Sequence, residues 1–223
     1  MVFLLPLWGI VCIKLVMEVD FETVTALECF QFLTHTAVPR SIALVTSISS
    51  EGKVNAAPFG FLNIVGSYPA VVALGIGMKM DDSPKETVRN IYDKAEFVIN
   101  MVTEKLAEIF FWTSFKYAPG KSELEAVELS AFPYISDVPP PITDSPVDLE
   151  LRRLSIQEIG FNRLIFGTVI RGGIDVEFYD TGSERILNDK VVPVGRVQGA
   201  KGYTRMHDLF EMESLKLWLS RSV

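Results

Sequence analysis

Short runs of strand-forming residues, separated by turns, constrain the fold of this chain more than any other feature. Residues 41–48 read SIALVTSI, a run rich in β-branched side chains, and Gly52 follows within a turn. We expect residues 54–63 to return as the second arm of a hairpin, in which Pro58 marks an edge strand or a bulge. Residues 70–78 form a third apolar run of strand length. This pattern predicts antiparallel pairing of neighbouring strands.

Helical signals are fewer than strand signals. Residues 83–86 read SPKE, which places serine at the N-cap, proline at the first helical position and glutamate at the third, and predicts a helix to about Lys94. Residues 103–111 repeat apolar side chains at helical spacing and predict a second helix. Residues 113–146 are loop-like and are interpreted as either a lid or a subunit-contact arm. Further strand candidates are residues 96–102, 147–156, 164–171, 175–179 and 190–194.

The order of these elements predicts a mainly β fold with helical additions. Many short strands and few helices favour a closed antiparallel barrel. The missing alternation of strands and helices argues against a Rossmann sheet. We expect a single domain over residues 18–223, preceded by an apolar extension at residues 1–17.

The apolar extension carries no charge before Lys14. Its apolar run is shorter than the roughly 20 residues that a bilayer span needs, and it lacks the basic region and cleavage site of a secretory signal. Met17, just before an acidic stretch, would make a natural start. We therefore expect an extended gene start or a segment packed on a partner surface, with a weak membrane anchor as the alternative and no stable membrane insertion.

Composition and cysteine content exclude several classes of protein. With 48% hydrophobic and 22% charged residues, the chain does not have the composition of a disordered protein. A formal net charge of −7 argues against nucleic acid as a partner. Cys12 and Cys29 form no metal-ligand spacing, which indicates free thiols in a reducing, cytoplasmic compartment.

The motifs of several common enzyme classes are missing from the sequence. It contains neither of the glycine-rich phosphate-binding loops, GxGxxG and GxxxxGK[ST], and no GxSxG nucleophile motif. His35 and His207 are the two histidines, and both are interpreted as surface or helix-end residues. We predict no metal site and name no catalytic side chain.

Three segments carry residue types that suit an anionic, planar ligand. The first strand ends in adjacent hydroxyls, which also occur at strand ends for structural reasons. The next segment has small residues that let a flat ring approach the backbone, or that form a bulged edge strand. The start of the first helix suits phosphate, or is an ordinary capping box. The candidate binding residues are Thr46, Ser47, Asn55, Ala57, Pro58, Gly60, Phe61, Lys85, Thr87 and Asn90.

These segments, in this order, resemble the flavin reductase-like, FMN-binding split-barrel family, which includes flavoredoxins and related flavin and ferric reductases. The resemblance extends over residues 38–210 in order and spacing. It is carried by residues 39–47, 52–61, 85–91, 96–100 and 193–196.

The resemblance implies a six-stranded antiparallel Greek-key split barrel and a homodimer with one FMN per subunit near the dimer interface. Glu86 replaces the aspartate of the family's Lys-Asp-Thr motif, and Gly60 stands where many members have serine. Arg196 and Tyr203 match a family tail motif loosely. The residues that match positions on the FMN-facing strand or beside the cofactor are Thr46, Ser47, Asn55, Phe61, Lys85, Thr87 and Asn90.

The activity that the resemblance implies is hydride transfer from NADH or NADPH to non-covalently bound FMN. Electrons would then pass to a second acceptor, such as free flavin, ferric iron or a protein, while the protein positions the cofactor. Two alternatives stay open at this point. One is a non-enzymatic FMN-binding electron carrier, and the other is a cofactor-free dimeric barrel that serves as an interaction module.

Overall fold

The computed structural model describes residues 2–7, 10–15, 17–115, 117, 122–132, 138–199, 202–206, 208, 210 and 212, with residues 2–15 described by their backbone alone. The strands are β1 (Val2–Leu7), β2 (Ile10–Leu15), β3 (Ala43–Ile48), β4 (Val54–Phe59), β5 (Leu62–Ser67), β6 (Ala70–Gly77), β7 (Glu96–Met101), β8 (Val147–Ile159), β9 (Asn162–Ile174), β10 (Tyr179–Asp180), β11 (Arg185–Ile186), β12 (Val194–Arg196) and β13 (Tyr203–Arg205). The helices are α1 (Ala26–Thr36), α2 (Glu86–Lys94), α3 (Glu104–Trp112), α4 (Glu123–Ala126) and α5 (Asn188–Val191), with a 3₁₀ turn at Val176–Phe178.

One antiparallel sheet of seven strands dominates the structure, in the order β4-β3-β7-β8-β9-β6-β5. The prediction of a mainly β fold is confirmed, but the predicted number of six strands is wrong. The predicted second hairpin arm ends at Phe59, and residues 62–67 pair with β6 as a separate strand. As predicted for a strand that contains Pro58, β4 lies at an edge of the sheet.

The link between β4 and β5 shows how the sheet closes. These two strands lie at opposite edges of the sheet, yet Gly60 and Phe61 alone join them. Because consecutive Cα atoms are about 3.8 Å apart, such a link spans at most about 11 Å. The two edges must therefore approach each other, and β4 also lies against β6. The sheet is rolled into a barrel that stays split between its edges.

Two hydrophobic cores lie on the two sides of β3, and all six residues of that strand are buried. Successive side chains of a strand point to opposite faces. The core inside the barrel is built from Ala43, Val45, Phe59, Val72, Leu74, Ile76, Val88, Ile91, Phe97, Ile99, Leu151 and Ile165. The core outside it, under α3, contains Ile42, Leu44, Ala56, Val102, Leu106, Phe110, Leu129, Ile142 and Val194.

The start of α2 differs from the prediction. The helix begins at Glu86 with Lys85 as its N-cap residue, and no side chain caps it. Ser83 does not cap the helix, because its hydroxyl donates to the Asp81 carboxylate at 2.6 Å. The predicted capping box at Ser83 is therefore wrong. The helix ends at Lys94, as predicted.

Other differences concern short or amphipathic segments. Residues 190–194 were predicted as a strand, but α5 occupies the first part, and its C-cap residue Val192 has a φ of 49°. The sequence analysis did not predict α1, or the pairing of β1 with β2 in the apolar extension. The described part of the predicted loop, residues 113–146, contains α4 and a bridge between Ala131 and Ile142.

None of the helices in the described part of the chain has the length and apolar character needed to cross a bilayer.

Candidate functional site

Four polar side chains from the predicted site meet beneath the first turn of α2. Ser47 and Asn55 are paired across β3 and β4. Thr87 and Asn90 are three residues apart and so share one face of the helix. Asn55 Nδ2 donates to Thr87 Oγ1 at 3.0 Å and to Ser47 Oγ at 3.4 Å. Asn90 Nδ2 donates to Ser47 Oγ at 3.0 Å. We call these four side chains the polar network.

Burial makes the polar network a structural anchor for the site. Each of its four side chains is at most 7% exposed. A buried amide without a partner is costly, so the bonds among these residues favour one position of α2 against the strands. The network therefore holds the first turn of α2, which begins directly after Lys85, against the edge strand β4.

Thr46 is not brought together with the polar network. Its neighbour Ser47 points into the barrel, whereas Thr46 points to the outer face of β3. The Thr46 hydroxyl donates to the Pro140 carbonyl at 2.7 Å, and Asn100 Nδ2 lies 3.4 Å from Thr46 Oγ1. The two adjacent hydroxyls thus face different layers. Sequence analysis missed Asn100, whose Oδ1 accepts the Ile142 N–H at 2.7 Å.

Lys85 places a positive charge at the start of α2. Its side chain is half-buried and its Nζ lies 5.6 Å from the centroid of the Phe59 ring. Within the described residues, no carboxylate forms an ion pair with this amine. Burial lowers the pKa of Lys85 below the ordinary lysine value. A half-buried cation without a counterion, next to the free N–H groups of a helix start, suits a phosphate group.

The link between β4 and β5 adds an aromatic ring, which lies beside positively charged side chains. Phe61 is 46% exposed, and its ring centroid lies 5.8 Å from Cζ of Arg40. A methyl group on Gly60 would lie 3.8 Å from Nη1 of Arg40 and 3.8 Å from Nη1 of Arg196. Ala57 and Pro58, before the link, are partly buried. The predicted segment thus lies beside two guanidinium groups.

Sequence analysis did not place Arg40 or Arg196 among the binding residues. The two residues exchange backbone hydrogen bonds, from Arg40 N to Arg196 O at 2.8 Å and from Arg196 N to Arg40 O at 3.0 Å. This isolated bridge joins segments from opposite ends of the chain. Local pattern does not reveal such a contact, although both residues lie in segments that carry the resemblance.

Comparison with known proteins identifies the family of this chain. A family model described as "Flavin reductase like domain" matches residues 35–184. The chain belongs to the flavin reductase-like family. The matched region includes Arg40, Lys85 and all four residues of the polar network.

Individual relatives cover most of this flavin reductase-like chain. The uncharacterized protein YwrF of Bacillus subtilis is 30% identical over 197 residues, which is 86% of this chain and 95% of that protein. The structure of 2-nitrobenzoate 2-nitroreductase NbaA of Pseudomonas fluorescens is 29% identical, with a TM-score of 0.78 over 89% of this chain and 96% of NbaA. Nitrilotriacetate monooxygenase component B of Bacillus cereus has a TM-score of 0.81 over 89% of this chain and all of that protein. At 24% identity, the last likeness shows the fold alone.

In this flavin reductase-like chain, α4 covers the free edge of the barrel beside the site. The Glu123 carboxylate accepts a hydrogen bond from the backbone N–H of Ala56 in β4. Burial, together with the nearby Glu86 carboxylate, raises the pKa of Glu123. A covered edge offers no free backbone for pairing with another chain.

The two histidines stay outside this arrangement as far as the structure describes them. His35 is exposed in the last turn of α1, as predicted, and its Nδ1 lies 2.5 Å from the Gln31 carbonyl oxygen. His207 lies outside the described residues. The cationic and aromatic groups of the site can bind and orient an anionic, planar molecule, and we assign no proton transfer to them.

Proposed function

We propose that this member of the flavin reductase-like family is an oxidoreductase that binds FMN non-covalently, takes hydride from NADH or NADPH, and passes electrons to a second acceptor. The acceptor would be free flavin, ferric iron, a protein or a small organic molecule. The likeness to a 2-nitrobenzoate nitroreductase at 29% identity adds nitroaromatic acids to the last class. When bound, FMN would supply the hydride and electron transfer chemistry.

The observation that carries this proposal is the half-buried amine of Lys85 at the start of α2, which forms no ion pair with any carboxylate among the described residues. A protein tolerates such a charge poorly unless an anion compensates it. The first backbone N–H groups of α2 add a partial positive charge at the same place. The amine and these N–H groups together suit a phosphate group, which FMN carries and riboflavin lacks.

The rest of the site would position the flavin ring. The polar network holds α2 against β4, so that the amine of Lys85 keeps its place near Phe59. The small residues of the 55–61 segment leave room for a flat ring along the backbone. Phe61, at the exposed end of this segment, would pack against the ring edge.

We also propose a homodimer with the flavin near the interface. Several large apolar side chains of α1 and β5 are exposed, which is typical of an interaction surface. Phe30 of α1 contacts the Phe61 ring, with centroids 6.3 Å apart, so this surface is continuous with the link beside the flavin site. The exposed apolar residues are Leu27, Phe30, Leu33, Phe61, Ile64, Val65 and Tyr68.

A visible absorption spectrum tests the function most directly. Purified protein would be titrated with FMN and then, under anaerobic conditions, with NADH and NADPH in separate samples. A bound flavin spectrum that bleaches with either nucleotide supports the reductase and identifies the donor. Bound flavin that bleaches with neither nucleotide supports an electron carrier. Absence of binding at saturating FMN contradicts the flavin site.

A further inference from the structure

Helix α2 fills one end of the barrel, and a cavity lies at the other end. Val88 and Ile91 of α2 belong to the core inside the barrel, at the end where β7 begins. At the end where β7 stops, Met101 lines a cavity of about 340 Å³. Voids larger than a water molecule are few in protein interiors, because side chains there are close-packed. A cavity of this size therefore points to a bound molecule.

Side chains of the barrel interior form most of the walls of this cavity. Met101 lies two residues after Ile99, and Val147 lies two residues before Leu149, so each pair points to one face of its strand. The wall residues that belong to the inner core or pack against it are Leu62, Val72, Ile99 and Leu149. The wall residues from the core under α3 are Ile42, Val102 and Val194. The cavity is thus an unfilled part of the interior where the two cores meet.

The chemistry of the walls favours an uncharged ligand. Among the described wall residues there is no carboxylate, and Arg40 is the single cation. Cζ of Arg40 lies 5.8 Å from the centroid of the Phe61 ring, and its Nη1 lies 3.8 Å from the place of a Cβ on Gly60. Neither Gly60 nor Phe61 is a wall residue, so this charge is directed toward the link between β4 and β5. An ion inside the cavity would lose its water without gaining a partner, which is costly.

The size of the cavity and two methionines narrow the class of ligand further. An apolar cavity of about 150 Å³ binds one benzene molecule, and this cavity has about twice that volume. Met101 and Met206 both line it, and methionine sulfur makes favourable contacts with aromatic rings. The polar wall residues Ser41 and Asn63 are exposed and so belong to the rim. The cavity therefore suits two fused aromatic rings.

We propose that this cavity binds an uncharged aromatic molecule of about two fused rings. The rings would lie against Met101 and Leu149, and a polar substituent would lie at the rim beside Ser41. This site goes beyond the proposed function, because it lies at the end of the barrel opposite to α2. Lys85, which we assign to the flavin phosphate, directly precedes α2. Binding of the aromatic molecule therefore requires no flavin.

NMR of protein labelled at the methionine methyl groups tests this site without an enzymatic assay. Naphthalene is the neutral probe, and naphthalene-2-sulfonate is the matched anion. We expect naphthalene to shift the methyl signals of Met101 and Met206 in flavin-free protein, because an aromatic ring shifts the signals of the groups that it touches. Met17 and Met80 are exposed and serve as internal controls that should not shift. The sulfonate should bind about tenfold more weakly than naphthalene, because its charge finds no partner among the walls.

A larger side chain in the cavity should exclude the probe. Val147→Phe adds volume at a wall position, and we expect it to weaken naphthalene binding by about tenfold. Val176→Phe is the matched control, because Val176 is 85% exposed and is not a wall residue. If Val147→Phe does not fold, the methyl shifts of the unmodified chain still decide the matter. Equal naphthalene affinities in the two variants, shifts of Met17 and Met80 as large as those of Met101 and Met206, or no shifts up to the solubility limit of naphthalene would overturn the proposal.

Sedimentation and flavin titration distinguish other occupants of the cavity. If Val147→Phe converts a dimer into monomers, the cavity receives a second copy of the chain, and the proposal is overturned. If FMN displaces naphthalene, the cavity belongs to the flavin site, and the proposal is likewise overturned. If FMN does not bind but naphthalene still shifts Met101 and Met206, the aromatic site stands and the flavin function fails. If FMN binds and naphthalene does not, the flavin function stands and the aromatic site fails.

Discussion

Asn55 donates a hydrogen bond from Nδ2 to Thr87 Oγ1 at 3.0 Å, and this bond joins an edge strand to the first turn of α2. Both side chains are almost fully buried. The bond lies close to Lys85, which is the N-cap residue of the same helix. The stability of the barrel edge and the position of the proposed phosphate cation therefore both depend on this contact.

Replacement of Asn55 should destabilise the fold. Asn55→Ala removes donors to Thr87 and Ser47 in a buried site, and we expect a loss of about 1–3 kcal/mol in the free energy of unfolding. Urea denaturation measures this loss. Asn63→Ala on β5, the next strand along the chain, is the control, since Asn63 is exposed. Equal unfolding free energies of the two variants would contradict a structural role for the bond.

Replacement of Lys85 should weaken FMN more than riboflavin. Lys85→Gln removes the positive charge that we assign to the phosphate, and we expect about a tenfold loss of FMN affinity. Fluorescence titration with both flavins measures the difference. Lys53→Gln is the matched control, because Lys53 is exposed and pairs with Glu51. A similar loss for FMN and riboflavin would show that Lys85 acts on the ring rather than on the phosphate.

We expect FMN affinity to fall as the pH rises, and to do so at pH values below those at which an ordinary lysine loses its proton. Burial lowers the pKa of Lys85, so its amine loses the proton, and its attraction for phosphate, earlier than an exposed lysine does. Between the lowered pKa of Lys85 in the folded chain and its ordinary pKa in the unfolded chain, the unfolded chain binds more protons. The stability of the FMN-free protein should therefore rise with pH over that interval. Titrations at several pH values compare the protein with Lys85→Gln. A pH profile that is identical in the variant would refute this assignment.

A methyl group at Gly167 should destabilise the inner core. Its Cβ would lie 2.7 Å from Cζ of Phe97 and 3.0 Å from Cδ2 of Leu151. Both neighbours are fully buried, and we expect Gly167→Ala to cost about 1–3 kcal/mol through overpacking. Thermal or urea unfolding measures the cost. Gly172→Ala on the same strand is the control, since its nearest contact would be 3.5 Å away, and an equal cost for both would argue against overpacking.

Sequence pattern was sufficient where one local rule determines the structure. The β-branched residues before the Gly52 turn predicted β3, and the three-residue spacing of Thr87 and Asn90 is compatible with their shared helix face. Local competition caused the error at Ser83, because Asp81 accepts the hydrogen bonds of Ser83 instead of leaving it free to cap the helix.

Contacts between distant segments could not be predicted in the same way. The bridge between Arg40 and Arg196 depends on the final position of β12, which no local pattern specifies. The opposite directions of Thr46 and Ser47 follow from the alternation of side chains along a strand. Their different environments depend on what covers each face, which is the loop at Pro140 for Thr46 and α2 for Ser47.

The short link at Gly60 and Phe61 also has a consequence for how the protein behaves when heated. Local loosening there would let the two sheet edges separate and would expose backbone that pairs readily with other molecules. A flavin bound beside the link would hold it closed. Bound flavin should therefore slow heat-induced clouding of the solution beyond the effect that it has on unfolding alone.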